Sequence, residues 1–391
     1  MRPVIALVLA VELVLTSSAR AQSEATFVPA LSVSTVHDDN LFSEPSAVGD
    51  VVTYLRPSLE GRYQSRTMTL ESLISLDMQR STRHSSLNIV DARRHATFDG
   101  RVRSTPSLLL GLGARYDRTE TASDLNFDTG ILLGRQRATR LQFTPSMAYR
   151  TSPRTTLTTQ YDWTNEALAG TPGATLHGAR VSFGREWSPR TTLSASYLGR
   201  LFDEAPQTYR SHAAMLGWSR ELAPGASLSL QAGPRVTSYG GITSEVSAAL
   251  IRRTPRNRFL VDYWRGETIV LGIVGPVQIH SGSTRMSWAV RRRLELGANL
   301  GVFNSKTLDA REAMVYHASL TSVWTAQPYI LAISYGSDLQ RGDIRGRRAA
   351  DEQVRRGVFL VRLTIAPRLS RAFRPPDDAD QPTTPLKGVL Q

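Results

Sequence analysis

Segments in which apolar and polar residues alternate one by one recur along most of this chain. After residue 107, apolar side chains occupy every second position: Leu108, Leu110, Leu112, Ala114 and Tyr116. Comparable alternation follows residues 154, 190, 225 and 293. Because successive side chains of a β-strand point to opposite faces, this pattern predicts strands with one apolar and one polar face.

Tight-turn sequences separate these segments near residues 65, 105, 153, 189, 224, 255, 292 and 327. Two of the turns begin segments that nearly repeat each other, SPRTTLTTQYDWT at 152–164 and SPRTTLSASYLGR at 188–200. Longer stretches between the turns, such as 120–130, 266–282 and 340–355, are predicted to be polar loops. Each short turn joins two strands as a hairpin. With one more strand at each end, the chain is predicted to have about eighteen strands (16–18).

This layout predicts an all-β fold, a closed antiparallel transmembrane β-barrel with short periplasmic turns and long extracellular loops. Closure is required because an open edge would leave backbone groups unpaired in hydrocarbon. A soluble β-propeller is the structural alternative, although its strands are shorter and its connections more even. The aromatic residues expected at the membrane interfaces are Tyr149, Trp163, Trp187, Trp218, Trp264, Trp324 and Tyr329.

The two ends of the chain differ from the strand-rich middle. Residues 1–21 are predicted to be a secretory signal peptide, because Arg2 precedes an apolar run at 4–15 and an A-R-A cleavage site. Residues 22–373 are assigned to the barrel, with 358–365 as the last strand. The Pro-rich residues 374–391 are predicted to form a disordered periplasmic tail.

Composition excludes several classes of function. The chain has no Cys, which excludes disulfides, thiol nucleophiles and Cys-ligated zinc. Its formal net charge is +13, and lysine occurs only at Lys306 and Lys387, so the excess is arginine. The arginines are spread along the chain and do not cluster with aromatic residues, which argues against nucleic acid as a partner. No cofactor is expected.

The polar strand faces are predicted to line a lumen that is wide enough for water. Strand parity assigns the following residues to it: Arg56, Glu60, Arg62, Glu71, Asp77, Arg115, Asp117, Arg140, Arg150, Asp162, Arg180, Glu186, Arg200, Arg235, Asp262 and Glu295. Both signs of charge are present. These residues either form a binding track or pair with one another and solvate the wall.

Catalytic and metal-binding signals are weak. Neither H-E-x-x-H nor G-x-S-x-G occurs, and no catalytic or metal site is assigned, so the chain is not expected to be an enzyme. His317 with Ser319 is one candidate pair. Residues 37–40 (HDDN) either hold calcium or form an Asx turn. The arginines of 345–348, with Arg355 and Arg356, form either a basic outer loop that binds anionic groups or a plain solvated loop.

Two short motifs resemble a known family. Residues 38–42 read DDNLF and residues 84–93 read HSSLNIVDAR, and both are similar to the β-barrel porin family associated with exosortase and exopolysaccharide loci. The resemblance covers most of the chain in layout. It implies an outer-membrane barrel that serves polysaccharide export or surface assembly, and it supplies no catalytic motif.

The expected function is therefore porin-like exopolysaccharide export or surface assembly through a hydrated polar lumen in the bacterial outer membrane. The alternatives are a general diffusion porin with no glycan role and an outer-membrane barrel hydrolase that acts on lipid or glycan. The expected partners are outer-membrane lipid and lipopolysaccharide, an exopolysaccharide, periplasmic export components and the outer-membrane assembly machinery.

Overall fold

The computed structural model describes residues 23–126, 129–204, 206–346 and 352–366. The strands are β1 (Glu24–Asp38), β2 (Asp50–Gln64), β3 (Met68–Ser81), β4 (Ile89–Thr105), β5 (Leu108–Thr119), β6 (Ala138–Ser152), β7 (Thr155–Leu168), β8 (Ala174–Ser188), β9 (Thr191–Glu204), β10 (Gln207–Ala223), β11 (Ala226–Thr237), β12 (Gly241–Arg253), β13 (Asn257–Thr268), β14 (Val277–Arg291), β15 (Leu294–Lys306), β16 (Glu312–Ala326), β17 (Tyr329–Gly342) and β18 (Gln353–Ile365). Short 3-10 helices lie at Ser85–Leu87 and Ala122–Leu125.

The strands form one closed barrel, as the alternation predicts. Each strand pairs antiparallel with its sequence neighbours in an 18-stranded sheet, and β1 also pairs with β18. The closing pair runs from Leu31 opposite Ile365 to Asp38 opposite Val358. The predicted signal peptide and tail lie outside the described residues. In the described part of the chain, no helix is long and apolar enough to cross a membrane.

The connections at the two ends of the barrel differ in length, as predicted. Every predicted tight turn joins a strand pair, from 65–67 between β2 and β3 to 327–328 between β16 and β17. We call this the turn end and the opposite end the loop end. Two loop-end connections, 205–206 and 238–240, are as short as the turns. The prediction that 266–282 is one long polar loop is wrong, because β13 and β14 extend into it and leave only 269–276.

The outer surface of the barrel is apolar. Exposed side chains such as Leu216, Leu320 and Phe359 alternate along their strands with inward-facing residues. Five exposed aromatic residues and the half-buried Trp218 lie near the turn end; the exposed ones are Tyr149, Trp187, Trp288, Trp324 and Tyr329. Toward the loop end, Tyr161, Tyr197 and Tyr263 contact His177, His212 and His280 on the neighbouring strands. Aromatic belts at both interfaces of an apolar band are typical of transmembrane barrels.

One residue of the predicted aromatic belt is misassigned. Trp264 lies at an inward-facing position of β13 and packs against buried residues inside the barrel. It was assigned to the belt from its position near a strand end, whereas parity with exposed Tyr263 places it inside. The exterior of this closed barrel otherwise matches the lipid-facing surface that the sequence predicts. The protein is therefore an integral barrel of the bacterial outer membrane.

An added charge should destabilise the barrel at an outward position of a strand and have little effect at an inward position of the same strand. We expect Leu230→Arg, on the exposed face of β11, to lower the free energy of unfolding by about 2 kcal/mol, because arginine in hydrocarbon costs that much. Urea unfolding of the barrel refolded in lipid vesicles measures it. The control Ser229→Arg, on the inward face, should change stability little, and an equal loss in both variants would contradict the assigned faces.

Candidate functional site

The residues predicted to line the lumen occupy inward-facing strand positions. Arg56, for example, follows exposed Leu55 on β2, and Arg180 precedes Val181 on β8, another exposed apolar residue. The other members of the set lie on the same face by the same alternation. Four of them lie within two residues of the turn ends of their strands: Arg62, Arg150, Glu186 and Glu295. That these residues serve as the wall of a conducting channel stays a prediction.

Many of these charges pair across neighbouring strands. The Arg56 guanidinium donates to both carboxylate oxygens of Asp77, with Nε–Oδ1 at 2.5 Å and Nη2–Oδ2 at 2.6 Å. Arg62 lies 3.6 Å from Glu71 on the next strand, whereas Arg115 pairs within β5, where its Nε lies 2.5 Å from Asp117 Oδ2. Further pairs join Arg140 to Glu166 and Arg285 to Asp262. Much of the predicted set therefore solvates the wall by mutual pairing.

A network of deeply buried charges lies on β9, β11, β12 and β13. Glu245 accepts hydrogen bonds from Arg200 Nη2 at 2.6 Å and from Arg235 Nη1 at 3.0 Å. Arg235 Nε also lies 3.1 Å from Glu267, which accepts from the Tyr239 hydroxyl. Arg235 is only 1% exposed. The two carboxylates offset the cost of burying this guanidinium, because an unpaired buried ion is very costly.

Removing Glu245 should therefore cost far more than removing an exposed partner. We expect Glu245→Ala to lower the free energy of unfolding by about 3–5 kcal/mol, because it leaves Arg200 and Arg235 without a shared carboxylate. The control Glu71→Ala breaks the exposed pair with Arg62 and should cost about 1 kcal/mol or less. Chemical denaturation of the two variants measures both values, and equal losses would contradict the burial argument.

The longest loop, 120–137 between β5 and β6, folds into the barrel. The backbone N–H of Leu132 donates to Gln340 Oε1 on β17 at 2.8 Å. Gly130 approaches the opposite wall so closely that an added Cβ would lie 3.0 Å from Phe303 and 3.3 Å from Val315. Arg135 donates to Gln79 on β3 at 2.8 Å. The loop therefore spans the lumen from β3 to β15–β17.

The apolar loop 269–276 enters from the other side. Its Gly272 and Gly275 have φ of +70° and +82°, and an added Cβ at Gly272 would lie 2.6 Å from Leu168 and from Arg345. Gly275 N donates to Glu204 Oε2 on β9 at 2.5 Å. The two inner loops share one buried cluster that also includes strand residues: Ala122, Leu125, Ile131, Leu133, Ala138, Leu168, Val270, Leu271, Ile273, Val277, Ile279, Ala313, Val315 and Ile344.

The inner loops pack across the lumen at the loop end and leave space beneath. On β10, lumen-facing side chains pass from buried Ser211 and Met215 to half-buried Ser219 and exposed Glu221 at the turn end. A cavity of about 260 Å³ lies under loop 120–137 and is bounded by β13–β18. Its lining is mostly polar and charged, with the rings of Trp264 and Phe303 added. The sequence prediction left open whether a loop fills the lumen, and two do.

The residues of segment 37–40 that could hold calcium make hydrogen bonds and an ion pair within the protein. Asn40 N donates to Asp38 Oδ1 at 3.0 Å, the contact of an Asx turn, and Asp38 Oδ2 pairs with Arg356 at 2.8 Å. Asp39 accepts from Gly357 N at 2.6 Å. Among the described residues, no group of three His, Asp or Glu side chains is placed to hold a metal ion.

The predicted basic outer loop is only partly outside. The structure shows that Arg356 faces inward and lines the cavity, whereas Arg345 approaches Gln136 of loop 120–137. Residues 347–351 lie outside the described chain. The two family-like motifs meet at the loop end, where the Phe42 ring contacts the His84 ring edge-on at 5.4 Å. His84 Nδ1 lies 2.9 Å from Asp50 Oδ2.

No family model matches the chain, and no curated protein matches it in sequence. Among solved structures it is similar to the outer membrane channel DcaP of Acinetobacter baumannii, with 11% identity and a TM-score of 0.40 over 90% of this chain and 99% of that one. For Pseudomonas aeruginosa OpdL the identity is 13% and the TM-score 0.45, over 88% of this chain and 99% of that one. For Acinetobacter baumannii OccAB4 the identity is 8% and the TM-score 0.46, over 89% of this chain and 100% of that one.

We expect the Asp124 carboxyl to make loop 120–137 sensitive to pH. Burial in loop 120–137 raises its pKa, an effect opposed by Arg93, Arg356 and Arg135 and supported by Asp38. A raised pKa means that the closed loop holds the proton more tightly than an opened, hydrated one. Closure is thus fully favoured at low pH and loses this contribution as pH rises through the raised pKa.

We therefore expect ion conductance of the refolded barrel in planar bilayers to increase from about pH 4 to pH 7, a range that begins near the ordinary Asp pKa and extends above it. Asp124→Asn should keep the barrel at its low-pH conductance throughout this range, because the amide does not ionise. The control Asp309→Asn removes an exposed carboxylate of the 307–311 loop and should leave the pH response unchanged. The same pH response in Asp124→Asn and wild type would exclude Asp124 as its source.

Proposed function

We propose that this barrel is a gated channel for hydrophilic solutes across the outer membrane and that the inner loops are its gate. The observation that carries the proposal is the combination of a charged lumen wall with an apolar loop cluster at one end only. Water and polar solutes enter the turn end readily, since the lumen-facing residues there are exposed. Passage requires the inner loops to move.

The proposed cargo is an exopolysaccharide or a solute used in its surface assembly. The motif resemblance at 38–42 and 84–93 supports this cargo, and so does the wall chemistry. Paired arginines and carboxylates present hydrogen-bond donors and acceptors to sugar hydroxyls, and the formal net charge of +13 favours an acidic glycan over a neutral one. Periplasmic export components and lipopolysaccharide are the partners we propose for this route.

A general diffusion porin is the second candidate. The wide, charged barrel favours it, since eighteen strands enclose enough space for an aqueous channel. The closed loop end argues against a permanently open pore. Steady conductance separates the two candidates, because a diffusion porin conducts without any change in its loops.

Placing a charge inside the loop cluster should open the channel. Ile273 is 6% exposed within the cluster, whereas its neighbour Val274 is 60% exposed. We expect Ile273→Asp to raise single-channel conductance several-fold over wild type in planar bilayers, because a buried carboxylate disfavours the closed loop arrangement. Val274→Asp adds the same charge to the same loop and should conduct like wild type.

The conductance of the wild-type protein tests the gate, and block of the opened variant by oligosaccharide tests the cargo. Large, constant conductance in wild type, unchanged by Ile273→Asp, would overturn the gated channel in favour of the diffusion porin. Block of the opened Ile273→Asp variant by acidic oligosaccharide at concentrations where a neutral sugar of equal length has no effect would support the glycan cargo. Equal block, or none, would contradict that cargo.

A further inference from the structure

A serine, a histidine and an aspartate form a connected chain on the lumen face of β16 and β17. His317 and Ser319 are two residues apart on β16 and therefore share a face, and Asp338 lies directly opposite His317 on β17. His317 Nδ1 lies 2.6 Å from Asp338 Oδ1, and His317 Nε2 lies 3.3 Å from Ser319 Oγ. The carboxylate and the hydroxyl thus contact opposite nitrogens of one ring.

This order of contacts is the one that activates a serine nucleophile. A carboxylate on Nδ1 fixes the tautomer in which Nε2 is free to accept the serine proton, and it stabilises the imidazolium that follows. The Nε2–Oγ distance is long for a hydrogen bond, as is common before substrate binds. His317 and Asp338 also line the cavity beneath loop 120–137, so a substrate in the cavity reaches the ring.

We propose that Ser319, His317 and Asp338 form an ester-hydrolysing site inside the barrel. The sequence prediction assigned no catalysis, and it weighed His317 with Ser319 only as an isolated pair. Asp338 completes the arrangement because the register of β16 and β17 brings together residues 21 positions apart in sequence. The proposal is independent of conduction, since a closed channel can still admit a small substrate from the turn end.

The neighbouring strands supply donors for the oxygen of a reacting carbonyl. Asn299 on β15 lies directly opposite Ser319, and Arg285 on β14 lies directly opposite Asn299. Both line the same cavity. Gly336 on β17 lies opposite Ser319 on the other side and has no side chain to crowd an acyl group. Asn299 is therefore assigned as the main oxyanion donor, with Arg285 behind it.

The cavity defines the class of ester. Its volume of about 260 Å³ accommodates a short acyl group and one sugar-sized alcohol, and it is too small for a long acyl chain. Polar and charged lining residues such as Asp262 and Arg285 suit hydroxyl groups, and the Trp264 and Phe303 rings offer apolar faces. The assigned substrate is a short-chain ester, such as an O-acetyl group, on a hydrophilic alcohol.

The reaction consumes one water and releases an acid and an alcohol. Ser319 Oγ bonds to the ester carbonyl carbon while its proton passes to His317 Nε2. Collapse of the tetrahedral intermediate breaks the ester C–O bond, and the His317 proton goes to the leaving alcohol oxygen. Water then attacks the acyl-serine, gives one proton to His317 Nε2 and releases the acid, and that proton returns to Ser319 Oγ.

A covalent probe tests the nucleophile in the refolded full-length barrel. We expect diisopropyl fluorophosphate to add one phosphoryl group at Ser319, located by peptide mass spectrometry. Hydrolysis of 4-nitrophenyl acetate should fall about 10²-fold or more in Ser319→Ala and in His317→Ala. The control Ser182→Ala, a half-buried inward-facing serine on β8, should react like wild type. Absence of labelling, with equal hydrolysis in wild type and Ser319→Ala, would overturn the proposal.

The role of Asp338 is that of a positioning residue and needs a separate test. Asp338→Asn should lower the rate and shift the midpoint of its pH dependence downward, because the ring loses the carboxylate that stabilises its protonated form. Asp338→Glu should restore part of the rate. A pH profile unchanged by Asp338→Asn would contradict this role.

Two further measurements test the substrate class and separate this site from the channel. Acetate release from 6-O-acetylglucose should exceed fatty-acid release from 4-nitrophenyl palmitate. The reverse order would overturn the assigned ester class. Ser319→Ala should keep wild-type conductance and wild-type heat-modifiable migration on gels. Loss of that migration would show that the variant misfolds, and Ser319→Cys, which keeps a nucleophile of similar size, would then be compared by its own labelling with iodoacetamide at residue 319.

Discussion

Backbone hydrogen bonding between β1 and β18 is the constraint on which the rest of this structure depends. In hydrocarbon an unpaired strand edge has no water to bond to, so the sheet must join its own first strand. The pairing from Leu31–Ile365 to Asp38–Val358 does so. Once the wall is closed, it separates a lipid-facing surface from an interior, and only then do inward loops, ion networks and a sheltered cavity become possible.

The wall was largely predictable from the sequence because its determinants are local. Side-chain alternation requires only neighbouring residues, and tight turns such as 153–154 and 189–190 depend on a few residues each. Both the strand count and the inward positions follow from these two features. Pairing across strands was less accessible, because the partners Arg200 and Glu245 are 45 positions apart and are brought together by register and by the inner space.

The interior was not predictable for a different reason. Loop 269–276 contains an apolar run. Between two strands, such a run is compatible with a continued strand or with a loop that packs inside the barrel, and only its contacts distinguish the two. Its packing partners, such as Leu168 at the end of β7 and Arg345 after β17, are distant in the sequence. The same holds for Asp338, which gains its significance only beside His317. Long-range proximity inside a barrel is a property of the closed wall and leaves no periodic trace in the sequence.

The inward course of the longest loop also changes what the cell displays. Loop 120–137 is anchored inside by Gln340 and Gln79, and the connections 205–206 and 238–240 are short. Little chain therefore rises above the membrane in these parts of the barrel. Extracellular proteases, phages and antibodies all need protruding, accessible segments, and here the length that would offer them is spent on the inside. Such a surface protein offers few segments for other molecules to bind, because its longest loop packs inside the barrel.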